Sequence, residues 1–78
     1  MRLNPMDVLR HKETRTVKTH SANNIFAEAE MFAIIIGYDP QINAYRAERY
    51  YESEHPKIDS NKKRIVIGVH WEVNWEKV

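Results

Sequence analysis

The sequence predicts a small α+β domain in which one main helix packs on a three-stranded, mainly antiparallel sheet, and three stretches carry that expectation. Ile25, Ala29, Phe32 and Ile36 recur at spacings of four, three and four, with Gly37 directly after them. That is the apolar stripe and the C-terminal stop of a helix. Ile65, Ile67, Val69, Trp71, Val73 and Trp75 alternate without a break against Val66, Gly68, His70, Glu72, Asn74 and Glu76. Such a period of two marks a long strand with one buried face. Residues 13–20, "ETRTVKTH", are rich in Thr and Val and also alternate, so they read as a first strand.

Taken in order, "LNPMDVLRH" has the punctuation of a short N-terminal helix. Asn4 is the N-cap, Pro5 the first helical residue, Asp7 lies in the first turn, and Leu3 is placed to staple against Val8. In the strand that follows, Arg15 and Lys18 fall on opposite faces, which suits the edge of a sheet. Ser21 or Asn23 then caps the main helix, predicted over about residues 22–36 and closed by Gly37 and Pro40. In "INAYRAERYYES" the tyrosines scatter around a helical wheel but sort in period two, with Tyr45, Ala47 and Tyr51 opposite Arg46, Glu48 and Glu52. A strand at about residues 43–52 results. "SEHPKIDSNKK" is a polar loop by composition. In the final strand Gly68 marks a bulge or strong twist. The predicted core sets Ile25, Ala29, Phe32 and Ile36 against Ile65, Ile67, Val69, Trp71 and Val73.

Seventy-eight residues support one domain, residues 1–78, and one core. At this size a core yields about 3–5 kcal/mol of net stability, so self-association or a partner would help. Cysteine is absent, which excludes disulfide and thiolate-zinc staples. The N-terminus shows no signal-peptide pattern, and the longest apolar run falls far short of the roughly 20 residues a membrane span needs. The expectation is a soluble cytoplasmic protein with no membrane contact.

The net charge of +1 hides an uneven distribution. Residues 21–56 carry Arg46 and Arg49 against six acids, whereas both ends of the chain are basic. His11, His20, His55 and His70 have no ligand-like spacing, and His70 stands two residues from Glu72 on the polar side of its strand. No serine sits in a glycine-rich elbow, and the two glycines are isolated, so neither a nucleophile nor a phosphate cradle is indicated. On a helix, Glu28 and Glu30 would point to different sides. The expectation is a non-enzymatic chain without metal or cofactor.

Two features point to partners. Lys57, Lys62, Lys63 and Arg64 concentrate basic charge in one loop, with Tyr45, Tyr50 and Tyr51 as stacking surfaces, and a nucleic-acid-binding domain is the alternative reading. The stronger feature is the run Met31–Ile36, six apolar residues in a row. At about 100° per residue, Phe32, Ala33 and Ile36 fall on the stripe facing the sheet. Met31, Ile34 and Ile35 fall on or near the opposite side, where an uncovered apolar patch marks an interface. Its cover would be the N-terminal helix through Leu3, Met6 and Leu9, a second copy in a homodimer, or a foreign protein.

The layout of a strand, then "THSANNIFAEAEMFAIIIGYDP", then a hairpin resembles small phage-encoded accessory proteins, among them anti-CRISPR and other anti-defence inhibitors. The resemblance covers residues 13–76 in the order of elements. It implies an inhibitor or adaptor of a larger macromolecular machine and carries over no site residue. The sequence thus predicts a protein-binding module with Met31, Ile34 and Ile35 as its contact and Lys57, Lys62, Lys63 and Arg64 as a basic rim.

Overall fold

The computed structural model describes residues 2–18, 26–54 and 60–78, and among them it contains strands and a single 3-10 turn but no α-helix. The strands are β1 (Val8–His11), β2 (Arg15–Lys18), β3 (Phe26–Asp39), β4 (Ala44–Glu52), β5 (Lys63–Gly68) and β6 (Trp75–Lys77). They form one antiparallel sheet in the order β5-β4-β3-β1-β6, with β2 also paired to β3. The fold is therefore a small β-sheet protein, and the α+β expectation is corrected.

The predicted helix over residues 22–36 is the main error, because from Phe26 onward that stretch is the longest strand of the sheet. The reason lies in the run itself. Ile34, Ile35 and Ile36 are β-branched, which narrows their rotamers in a helix and suits a pleated surface. A central strand with apolar contacts on both faces reads as a continuous apolar run, not as an alternation. Ala29, Met31, Ala33 and Ile35 are all buried, whereas Ile36 is 41 % exposed. The helical spacing mixed residues from the two faces of one strand, since Ala29 lies on one face and Phe32 and Ile36 on the other; Ile25 lies outside the described residues. Gly37 is no helix cap: its φ is not positive, and it follows a register shift between Ile35 and Gly37 that leaves Ile36 as the extra residue of a bulge.

The predicted N-terminal helix is replaced by a turn. The Asp7 N–H donates to the Asn4 carbonyl at 3.1 Å, and the Asn4 N–H donates to the Asp7 carboxylate at 2.8 Å. Pro5 takes the second position and Met6 the third with φ 73°, the arrangement of a type II turn. The Met6 N–H then bonds the Ile35 carbonyl at 2.7 Å and the Ile35 N–H bonds the Asp7 carbonyl at 2.8 Å, so the turn docks the arm onto β3 before β1 begins.

The final strand is also divided. β5 stops at Gly68, residues 71–73 form the 3-10 turn, and β6 resumes at Trp75. β5 and β6 occupy opposite edges of the sheet, so the segment between them straps one face and delivers Trp71 into the core. Val69 and Val73, expected in the core, are exposed. The core comprises Leu3, Leu9, Met31, Ala33, Ile35, Tyr45, Ala47, Ile67, Trp71 and Trp75, with Tyr51 and Ile65 against its margin. Leu9 and Ile35 are its largest fully buried side chains, each worth about 1.5–3 kcal/mol of burial. The N-terminal arm is pinned there by the Leu3 N–H, which donates to the Tyr45 hydroxyl at 3.2 Å. The Trp71 indole N–H is buried without an acceptor among the described residues.

The β4 expectation was close, residues 44–52 against about 43–52, and β4 and β5 form the expected antiparallel pair. Among the described residues β2 pairs with β3 alone, matching the predicted edge position; residues 19 and 20 of that expectation lie outside the described residues. Among the described residues no helix is long and apolar enough to cross a membrane.

Candidate protein-binding face

Strand register assigns each side chain to one of two faces, because directly opposed residues point the same way. The first face is the core side, covered by the N-terminal arm and the strap. On the other face, Arg64, Glu48, Ile34 and Val8 form one row across β5, β4, β3 and β1. The next row holds Tyr50, Phe32, Arg10 and Glu76, and beyond it Glu30 stands opposite Glu52. On the other side of the first row lie Val66 and Arg46, with the bulge at Ile36 beside them.

This second face divides into three zones. Its middle mixes apolar and charged residues: Val8 and Ile34 are half-buried, Ile36 and Val66 are exposed, Val66 by 54 %, and Arg46 and Glu48 of β4 stand between Val66 and the two isoleucines. Phe32 and Tyr50 stack with ring centroids 5.4 Å apart and 16° between planes. Partial burial of the Tyr50 phenol pushes its pKa above the ordinary value, with the Glu52 charge adding to the rise. Beside the stack, Arg10 is ion-paired to Glu76, whose hydrogen bond and charge raise the pKa of the guanidinium. Arg46 closes the opposite flank with Asp39 at 3.0 Å.

The far end of the face is acidic. Glu28 and Glu30 lie two apart on a strand and share a side, which corrects the expectation that they diverge. With Glu52, Glu54, Ser53 and Thr14 they line a hollow of about 410 Å³. Like charges directly opposed across a strand pair, as Glu30 and Glu52 are, cost about 0.2–1 kcal/mol. Among the described residues no group of three or more histidines or carboxylates is placed to hold a metal ion. His11 is buried, edge-on to Trp75 with centroids 5.0 Å apart, and takes the Glu13 N–H on Nδ1 at 3.2 Å. His20 and His55 lie outside the described residues, and His70 is exposed within the strap, just before its 3-10 turn.

The predicted contact residues separate in this frame. Met31 and Ile35 belong to the core with Leu3 and Leu9, so the own-chain cover weighed from the sequence accounts for them, although Met6 is 77 % exposed and the covering segment is an arm, not a helix. Ile34 lies on the open face next to Val8. Lys62, Lys63 and Arg64 are exposed at the start of β5, with Lys62 Nζ 5.9 Å from the Tyr50 ring centre; Lys57 lies outside the described residues. Lys63 stands opposite Arg49, a like-charge pair, and Arg64 stands opposite Glu48. The structure thus joins Ile34 to Arg64 in one row and withdraws Met31 and Ile35. The helical reading missed Val8, Ile36 and Val66 as companions of Ile34; reading the run in period two would have found Ile36.

No family model matches the chain, and neither does any curated protein or solved structure.

Proposed function

We propose that this chain is a non-enzymatic protein-binding module, an inhibitor or adaptor, that receives its partner on the open face of the sheet. The observation supporting this reading is the apolar group Val8, Ile34, Ile36 and Val66, which no described segment of the chain covers. A small domain gains by covering such a group, and apolar surface rimmed by polar residues is what interfaces use. The rim here is Arg10 with Glu76 and Arg46 with Asp39, each already ion-paired, whereas Arg64 and Glu48 stand opposed in the central row without an ion pair among the described residues and would need polar partners on docking. A second copy is one candidate partner and a foreign protein the other. The nucleic-acid reading is the weaker one: Glu48 faces Arg64, and four glutamates occupy the far end of the same face, where phosphate would be repelled.

The test is a double substitution, Ile36→Glu with Val66→Glu, in a protein shown to keep its wild-type unfolding midpoint. Light scattering reads self-association, and affinity capture from the source organism followed by mass spectrometry reads a foreign partner. The expected result is a complex formed by the wild type and lost by the variant. A partner retained equally by both proteins refutes the assignment to this face.

A further inference from the structure

We infer that the outer edge of β5 is a strand-addition site for an extended, acid-bearing segment of a partner protein. This inference deepens the protein-binding reading and rests on it, because it specifies the chemistry of what lies beside the open face.

Among the described residues β5 ends the sheet on one side, with β4 as its only strand neighbour. In an edge strand, alternate residues direct their backbone N–H and C=O outward. Those of β5 meet no described backbone partner. Surroundings are open as well: Lys63, Arg64, Val66 and Gly68 are exposed, and a β-carbon at Gly68 would meet nothing within 4 Å. Among the described residues none pairs with this edge, so the main chain of an added strand finds ready hydrogen-bond partners, the basis of peptide recognition by β-augmentation.

Charge selects the occupant. Lys63 is opposed across the strand pair by Arg49 on the core side, and no described acid forms an ion pair with either residue. Arg49 is turned onto the Tyr51 ring, 4.7 Å from its centre, which leaves Lys63 to any neighbour arriving from outside. Arg64 points to the other face, opposite Glu48 but without an ion pair to it among the described residues. An antiparallel added strand would place consecutive residues against Arg64 and Lys63, one on each face, after residues opposite Gly68, Ile67, Val66 and Ile65. The fitting segment is apolar and β-branched first and carries consecutive carboxylates at its end. In the same register a second copy of β5 pairing antiparallel to the first would bring its Lys63 and Arg64 beside Gly68 and Ile67 and leave them unneutralised.

The probe is a fluorescein-labelled peptide of sequence Thr-Val-Thr-Val-Glu-Glu, compared with Thr-Val-Thr-Val-Lys-Lys by anisotropy, with amide hydrogen exchange to locate binding. The wild type is expected to bind the acidic peptide with a Kd of about 0.1–1 mM, at least about tenfold more tightly than the basic one, and to gain protection in Lys63–Gly68. The Lys63→Glu, Arg64→Glu double variant is expected to reverse the preference, and the reversal itself shows that the variant is folded. Equal binding of both peptides, protection located elsewhere, or no binding at about 5 mM overturns the inference. If the acidic peptide fails while Ile36→Glu with Val66→Glu still abolishes partner capture, the edge site alone falls. If capture survives that substitution, the open-face reading falls whatever the peptide does.

Discussion

The two faces of the sheet are built from neighbouring residues of the same strands, yet they meet different fates. On one, Leu9, Ala33, Ile35 and Ala47 are completely buried beneath the N-terminal arm and the Trp71 strap. On the other, residues one position away, Val8, Ile34, Ile36 and Val66, are left half-buried or exposed. Hydrophobicity alone cannot explain the contrast, since Ile35 and Ile36 are the same amino acid. What differs is cover, and cover depends on where the arm and the strap can reach. The apolar surplus of residues 31–36 is two interleaved sets: Met31, Ala33 and Ile35 close the core, while Phe32, Ile34 and Ile36 line the other face, where Phe32 is buried against Tyr50 and Ile36 is exposed.

The sharpest way to break this comparison is to truncate adjacent isoleucines. Ile35→Ala is expected to lower unfolding stability by about 2–5 kcal/mol, since it opens a cavity in a closed core. Ile36→Ala is expected to cost about 0.5 kcal/mol or less, as exposed positions generally do. Urea denaturation of both variants checks the pair. Equal losses would mean that both faces are covered and would remove the basis for the open-face proposal.

Much of the strand framework was legible in the sequence. Tyr45, Ala47 and Tyr51 sorted in period two and gave β4 almost to the residue: the stretch is rich in helix formers, but its tyrosines scatter around a helical wheel and gather only in a strand. β3 was not legible for the opposite reason: at Met31–Ile36 both phases of the alternation are apolar, and the Ala and Glu before them are good helix formers. The strap was hidden because residues 65–75 keep alternating through it, and only the position of β6 across the sheet reveals that the chain must turn. The candidate site followed the same division. Ile34 and the exposed Lys62, Lys63 and Arg64 could be named from the chain, whereas Val8 and Val66 join them only through register.

A smaller effect sharpens the comparison from the acidic end of the open face. Glu30→Lys would turn the opposed pair Glu30 and Glu52 into opposite charges. The expected gain is about 0.2–1 kcal/mol at low ionic strength, shrinking as salt screens the exposed pair. Thermal unfolding at two salt concentrations measures it. A loss of stability would show that the carboxylates are held by something other than strand pairing.

The central claim, that the sheet presents one closed and one open apolar face, is tested most directly by methyl NMR of the free protein with a dissolved paramagnetic agent. The account predicts strong relaxation of the Val8, Ile34, Ile36 and Val66 methyls, rising with exposure, and near-silence from Leu9, Ile35 and Ile67. Equal protection of both groups, or relaxation of Ile35 matching that of Ile36, would contradict it.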